Sequence, residues 1–152
     1  MRLAFFQPDI PQNLGAALRL AACLATPLDI IEPCAFPLSD RALARAALDY
    51  AQHSTVERHD DFASFRAARP APARLILLTT SGETFLPAFR FTPEDILILG
   101  SESAGVSAEV HHAAAVRLRI PLAPGLRSLY VVTAAALTLG EALRQTGLWP
   151  QY

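Results

Sequence analysis

The chain has 152 residues, of which 52% are hydrophobic, and its formal net charge at pH 7 is −1. This length fits one domain with a sizeable core, so we expect a single domain over residues 1–152. The near-neutral charge gives no bulk basic signal for nucleic acid. A membrane span is not predicted, because no uninterrupted apolar run reaches about 18 residues. We expect the surplus apolar surface to be buried at a subunit interface.

The amino terminus, the cysteines and the histidines predict the compartment and argue against a metal site. The amino terminus has too few apolar residues for a signal peptide, which predicts a cytoplasmic protein. Cys23 and Cys34 are too few for a disulfide framework, so we expect free thiols. The four histidines lack the spacing of metal ligands, and we expect solvated or capping roles for them. They are His53, His59, His111 and His112.

Strand and helix patterns alternate along the chain with short links. Apolar runs predict strands over residues 2–6, 28–31, 74–78, 95–99 and 116–120, and residues 54–58 predict a weak, polar strand near an edge of the sheet. Helices are predicted over residues 13–25, 41–50, 62–68 and 107–114, with a last apolar helix that closes the chain. Asn13, Asp40 and Ser128 are the expected N-caps, and residues 85–93 predict a loop. This alternation predicts an α/β fold with a mostly parallel sheet and helices on both faces.

Three predicted strand ends combine small residues with few charges: residues 78–82, 100–105 and 120–128. Ligands of open parallel sheets bind outside the carboxyl ends of the strands. These loops suit a neutral or zwitterionic ligand, such as a nucleoside held by backbone groups. No dinucleotide-binding glycine motif follows the first strand, and no P-loop occurs. Each loop taken alone is also consistent with an ordinary strand-turn-helix corner.

Two side chains near these elements have both structural and functional interpretations. Arg19 is either a solvated helix arginine or part of a site. Glu102 is expected to accept hydrogen bonds from the amides of its own tight loop, in a structural or a functional role.

Three motifs occur in order along the chain. Asn13 to Arg19 fits N-x-G-x-x-x-R, Gly100 to Gly105 fits G-x-E-x-x-G, and Ile120 to Leu129 fits the start of I-P-x…S-L-N. Together they resemble the motifs of the SPOUT methyltransferases, the knotted RNA methyltransferases that use S-adenosylmethionine. Chain length and the segments 31–33, 48–50 and 78–80 resemble one branch, the single-domain tRNA 2′-O-methyltransferases of the anticodon wobble nucleotide.

The resemblance implies a fold, a reaction and partners. It implies a carboxyl-terminal trefoil knot, a homodimer with a shared active site, and methyl transfer to the 2′-hydroxyl of the wobble C or modified U of tRNA. S-Adenosylmethionine would contact Leu78, Thr79, Gly100, Glu102, Gly105, Ile120, Leu122 and Ser128. The implied catalytic residues are Asn13, Arg19 and Tyr130. Arg41 and Arg45 are candidates for tRNA binding.

Two positions depart from the motifs of the resembled family. Position 104 is Ala where the second motif usually has Arg, and position 130 is Tyr where Asn follows Ser-Leu. These departures motivate one alternative to the wobble enzyme, a catalytically impaired, dimeric RNA- or nucleoside-binding relative. A second alternative, independent of them, is a 2′-O-methyltransferase that acts on another RNA.

Overall fold

A seven-stranded parallel sheet forms the centre of the computed structural model, which describes residues 1–39, 50 and 55–151. The strands are β1 (Arg2–Phe6), β2 (Leu28–Ile31), β3 (Val56–His59), β4 (Leu75–Leu78), β5 (Thr84–Phe85), β6 (Ile96–Leu99) and β7 (Val116–Arg119). Their order across the sheet is β3-β2-β1-β6-β4-β7-β5, and every adjacent pair is parallel. The predicted parallel α/β sheet is therefore confirmed.

Helices cover both faces of this sheet. They are α1 (Pro11–Cys23), α2 (Phe62–Ala68), α3 (Ala108–Ala113) and α4 (Val131–Thr146). Successive strand residues point to opposite faces, so Leu3 packs in the core under α1 and α4, and Ala4 packs in the core under α2 and α3. Among the described residues, no helix is long and apolar enough to cross a membrane.

Two predicted helix starts were wrong. Helix α1 begins at Pro11, because proline has a fixed φ and no N–H to leave unpaired at the first helical position. Asn13 therefore lies in the first turn, fully buried, and does not cap it. Helix α4 begins at Val131 with Tyr130 at its N-cap position, so Ser128 is not its N-cap.

One strand was missed, and one predicted helix is not described. The segment 85–93, predicted as a loop, begins inside β5, a two-residue strand that pairs with the edge of β7. A strand this short has no detectable alternation in sequence. The predicted helix 41–50, with Asp40 as its cap, lies outside the described residues except for Tyr50.

The strand order places three loops side by side. Strand β4 lies between β6 and β7, and all three strands point the same way. Their carboxyl ends therefore meet at one edge of the sheet, which brings together the loops that follow Leu78, Leu99 and Arg119.

Candidate functional site

A cavity of about 390 Å³ opens at the carboxyl ends of β4, β6 and β7. All eight residues that the family resemblance implied as cofactor contacts line it: Leu78, Thr79, Gly100, Glu102, Gly105, Ile120, Leu122 and Ser128. The meeting of the three strand-end loops was predictable from the residues alone, because parallel strands present their carboxyl ends at one edge. Their role as ligand contacts stays a prediction.

The lining of the cavity combines apolar side chains with a few charges. Leu78, Ile120 and Leu122 contribute the apolar part, and Glu102, Arg119 and Arg127 contribute one negative and two positive groups. The volume lies within the usual range of small-molecule sites. Apolar walls beside both signs of charge suit a zwitterionic ligand with an aromatic base.

The loop between Gly100 and Gly105 is closed by its own backbone. The amide of Ser101 donates to the carbonyl of Gly105 at 2.9 Å, and the amide of Gly105 donates back to the carbonyl of Ser101 at 3.0 Å. A Cβ atom at Gly100 would lie 2.8 Å from the Gly105 Cα, closer than real side chains approach. Gly105 itself has a φ of +68°. The two glycines of the second motif are therefore required by the tightness of the loop.

The predicted role of Glu102 within its own loop was wrong. The loop amides of Glu102 and Ser103 donate instead to the Asp9 carboxylate, at 2.9 Å and 3.0 Å. The Ser103 hydroxyl also donates to Asp9. Asp9 was missed because it lies 93 residues from the loop, in a proline-containing segment with no motif of its own.

Glu102 contacts the first motif. Its Oε2 atom accepts a hydrogen bond of 3.3 Å from Nδ2 of Asn13, a residue that is fully buried. The Oδ1 atom of Asn13 accepts a hydrogen bond from the hydroxyl of Tyr130. The structure thus links the predicted catalytic residues Asn13 and Tyr130 to each other and, through Glu102, to the cavity wall.

Arg19 lies apart from this chain of hydrogen bonds. Its side chain is exposed on α1, and its guanidinium carbon is 5.0 Å from the centre of the Tyr50 ring. This is the distance of a cation–π contact, which restrains a long side chain without neutralising it. Arg19 does not line the cavity. Arg41 and Arg45, the predicted tRNA contacts, lie outside the described residues.

A second charged cluster lies at the β2–β3 side of the sheet. Asp29 is fully buried and contacts Arg2, Arg69 and His59, the last at 2.8 Å. Burial favours the neutral form of Asp29, but hydrogen bonds from these three partners outweigh it and lower the pKa of the carboxyl.

His59 is buried against Asp29, so the expectation of a solvated or capping role was wrong for this histidine. Ligand atoms of Asp29, His59 and Glu57 lie within 4.8 Å of one another, close enough to suggest a metal group. Two guanidinium groups already occupy the Asp29 carboxylate, however, and this arrangement fits an ion-pair network.

The sequence profile of the SpoU rRNA Methylase family matches residues 1–140 of this chain. The chain belongs to this family. The matched region contains β1 to β7, all three motifs and most of α4, and it includes every residue that lines the cavity.

Relatives and solved structures match nearly the full length of this SpoU family member. A tRNA (cytidine(34)-2′-O)-methyltransferase of Beijerinckia indica is 51% identical over 95% of this chain and 91% of its own. A structure described as giving insights into the 2-OH methylation of C/U34 on tRNA has a TM-score of 0.87 and 41% identity, and covers 95% of this chain and 94% of that one.

A more distant solved structure contains a cofactor. The SpoU methyltransferase AviRb from Streptomyces viridochromogenes, in complex with AdoMet, has a TM-score of 0.83 and 26% identity. The match covers 95% of this chain and 57% of AviRb.

Proposed function

We propose that this protein transfers a methyl group from S-adenosylmethionine to the ribose 2′-hydroxyl of the wobble nucleotide, C or modified U, in the tRNA anticodon. The observation that carries the proposal is the single cavity in which all eight predicted cofactor contacts meet. Relatives named for cytidine-34 methylation, 51% and 47% identical to this chain, support the choice of nucleotide.

The cavity suits S-adenosylmethionine in size and in chemistry. Apolar side chains at Leu78, Ile120 and Leu122 can pack on an adenine ring, and the backbone of the glycine loop can approach its polar edge. The cofactor supplies a methyl group activated by its sulfonium charge, and the sulfur retains the electron pair of the broken S–C bond. The protein has to hold the acceptor oxygen in line with the methyl group and stabilise the negative charge that develops on this oxygen as its proton is removed.

Arg19 is the residue we assign to the reacting hydroxyl. A guanidinium stays protonated at physiological pH, so it is a poor general base. It can instead position the ribose and stabilise negative charge that develops on the 2′-oxygen, while a substrate phosphate assists removal of the proton. Its exposure and the Tyr50 contact fit a cation held ready for an external substrate.

Asn13 and Tyr130 complete the assigned catalytic group. Asn13 is buried and joined to both Glu102 and Tyr130. Tyr130, half-exposed at the start of α4, lies between the buried amide and solvent. At position 130 the asparagine of the third motif is thus replaced by a tyrosine, whose hydroxyl donates to Asn13. Because Tyr130 keeps a specific hydrogen bond to a predicted catalytic residue, we favour an active enzyme over an impaired relative.

We further propose a homodimer, a trefoil knot near α4 and a cytoplasmic location. The dimer is supported by exposed apolar side chains at the carboxyl-terminal end: Leu137, Leu148 and Trp149 are 50%, 44% and 45% exposed. The Trp149 ring lies next to Gly140, one helical turn along α4 from Leu137. Exposed apolar side chains that cluster on a surface mark protein contacts.

Transfer of a labelled methyl group to unmodified tRNA and to unmodified ribosomal RNA tests the proposed function. Binding of S-adenosylhomocysteine should be measured by calorimetry on the same preparation. We expect saturable cofactor binding and label in tRNA only. Label in ribosomal RNA alone would establish the alternative substrate, and cofactor binding without any transfer would establish the impaired relative.

A further inference from the structure

Asp9 joins two segments that are far apart in sequence. It lies between β1 and α1, and its carboxylate accepts hydrogen bonds from the amides of Glu102 and Ser103 and from the Ser103 hydroxyl. Glu102 lines the cavity and belongs to the loop between Gly100 and Gly105. One acidic side chain therefore binds three donors of the loop that forms a cavity wall.

The loop depends on Asp9 for its outward-facing donors. Its internal pair of bonds satisfies the amides of Ser101 and Gly105. The amides of Glu102 and Ser103, at the tip, point to Asp9. Hydrogen bonds to an ionised carboxylate are about twice as strong as neutral ones, and two adjacent amides fix the direction of the peptide plane between them.

The environment keeps Asp9 in its charged form. Partial burial alone would raise the pKa of the carboxyl, but the hydrogen bonds from Ser103 and Glu102 outweigh it and lower the pKa below its ordinary value. A second contact supports the same loop, because Asn13, four residues after Asp9, donates a hydrogen bond of 3.3 Å to the Glu102 side chain. The segment from Asp9 to Asn13 thus holds both the backbone and the side chain of the loop tip.

We propose that Asp9 is a positioning residue for cofactor binding: its carboxylate holds residues 101–105 in the conformation that binds the cofactor. The inference rests on the proposed function, because it assigns the cavity to S-adenosylmethionine. Because this wall of the cavity is already ordered before binding, cofactor binding does not have to supply the entropic cost of ordering it. Asp9 needs no contact with the cofactor or with the reacting atoms, and its effect is on affinity.

Calorimetric titration of S-adenosylhomocysteine into Asp9→Asn tests this assignment. Asparagine has nearly the same shape, but it has no charge and only one oxygen to accept from two amides. We expect the dissociation constant to rise about tenfold, with kcat at saturating cofactor within about threefold of the wild type. Asp9→Glu keeps the carboxylate and should recover a large part of the affinity. Asp60→Asn, which changes an exposed acid directly after β3, is the matched control.

A double-mutant cycle with Ser103→Ala separates positioning from general destabilisation. Removal of the Ser103 hydroxyl should weaken cofactor binding in the wild type and have less effect in Asp9→Asn, because the charged carboxylate that this hydroxyl contacts is already gone. Unchanged affinity in Asp9→Asn, or equal losses in Asp9→Asn and Asp9→Glu, would overturn the inference while leaving the proposed function in place. If the wild type itself binds no S-adenosylhomocysteine, the proposed function fails and the inference fails with it.

Discussion

The hydroxyl of Tyr130 donates a hydrogen bond to the side-chain oxygen of Asn13, which is fully buried in the first turn of α1. This contact crosses 117 positions of sequence and joins the first motif to the third. It gives Tyr130 a specific structural role at the one position where the third motif departs from the S-L-N pattern.

Tyr130→Phe removes only the hydroxyl of this contact. The buried Asn13 oxygen then loses its donor, which costs about 1–3 kcal/mol, and we expect kcat to fall about tenfold or more. Affinity for S-adenosylhomocysteine should change little, because Tyr130 does not line the cavity. Steady-state kinetics and calorimetry measure the two effects. Tyr130→Asn restores the motif, and activity close to wild type in the Phe variant would show that the hydroxyl is dispensable.

Arg19→Ala should abolish most activity and leave cofactor binding intact. The guanidinium is assigned to the acceptor hydroxyl and does not line the cavity, so its loss affects the transfer step. We expect kcat to fall by about 100-fold or more, the range that a well-placed electrostatic group contributes. Arg19→Lys keeps the charge but loses the planar fork, and should recover activity only in part. An equal loss of cofactor affinity would place Arg19 in the cofactor site instead.

Gly100→Ala should destroy the cofactor cavity locally. The added Cβ would lie 2.7–2.8 Å from backbone atoms of Gly105, so the loop has to shift. We expect cofactor affinity to fall by at least about tenfold. Gly140→Ala is the matched control, because a Cβ there meets only the Trp149 side chain at 3.8 Å or more. Equal cofactor affinities in the two variants would contradict this account of the loop.

The two predicted tRNA contacts, Arg41 and Arg45, are testable by salt dependence. Each lost phosphate contact lowers the slope of log affinity against log salt by about 0.7–0.9. We expect Arg41→Ala with Arg45→Ala to weaken tRNA binding, to lower this slope by up to about 2, and to leave cofactor affinity unchanged. Arg66→Ala, an exposed arginine on α2, is the control. A slope unchanged from wild type would show that neither arginine contacts a tRNA phosphate.

The Asp29 cluster predicts how stability depends on pH. The lowered pKa of Asp29 means that its ion pairs stabilise the fold above the ordinary carboxyl range, and that this stability is lost as the pH falls through the lower pKa of the folded state. Asp29→Asn should therefore lower the free energy of unfolding at pH 7 by about 3–5 kcal/mol. Urea unfolding should show this difference shrinking below about pH 4, and a difference that stays constant down to pH 3 would contradict the assignment.

The sequence predicted the cavity lining better than it predicted the contacts around it. Apolar runs that end in small residues, as at Leu78 and Leu99, identify parallel strands and their carboxyl ends. Pairings between side chains far apart in sequence have no comparable signal, which is why the bonds of Asp9 and Tyr130 were not predicted. The start of α1 was misplaced for a local reason, because Asn13 is a good cap by residue type and Pro11 is a good first residue.

The central claim is tested most directly with two tRNA transcripts that differ only in the sugar at nucleotide 34, ribose in one and 2′-deoxyribose in the other. The protein, labelled S-adenosylmethionine and each tRNA are incubated together, and the digested nucleosides are analysed by mass spectrometry. The account predicts one 2′-O-methylated nucleoside from the ribose transcript and no product from its deoxy counterpart. Equal labelling of both transcripts, or no labelling of either by a protein that binds the cofactor, would contradict it.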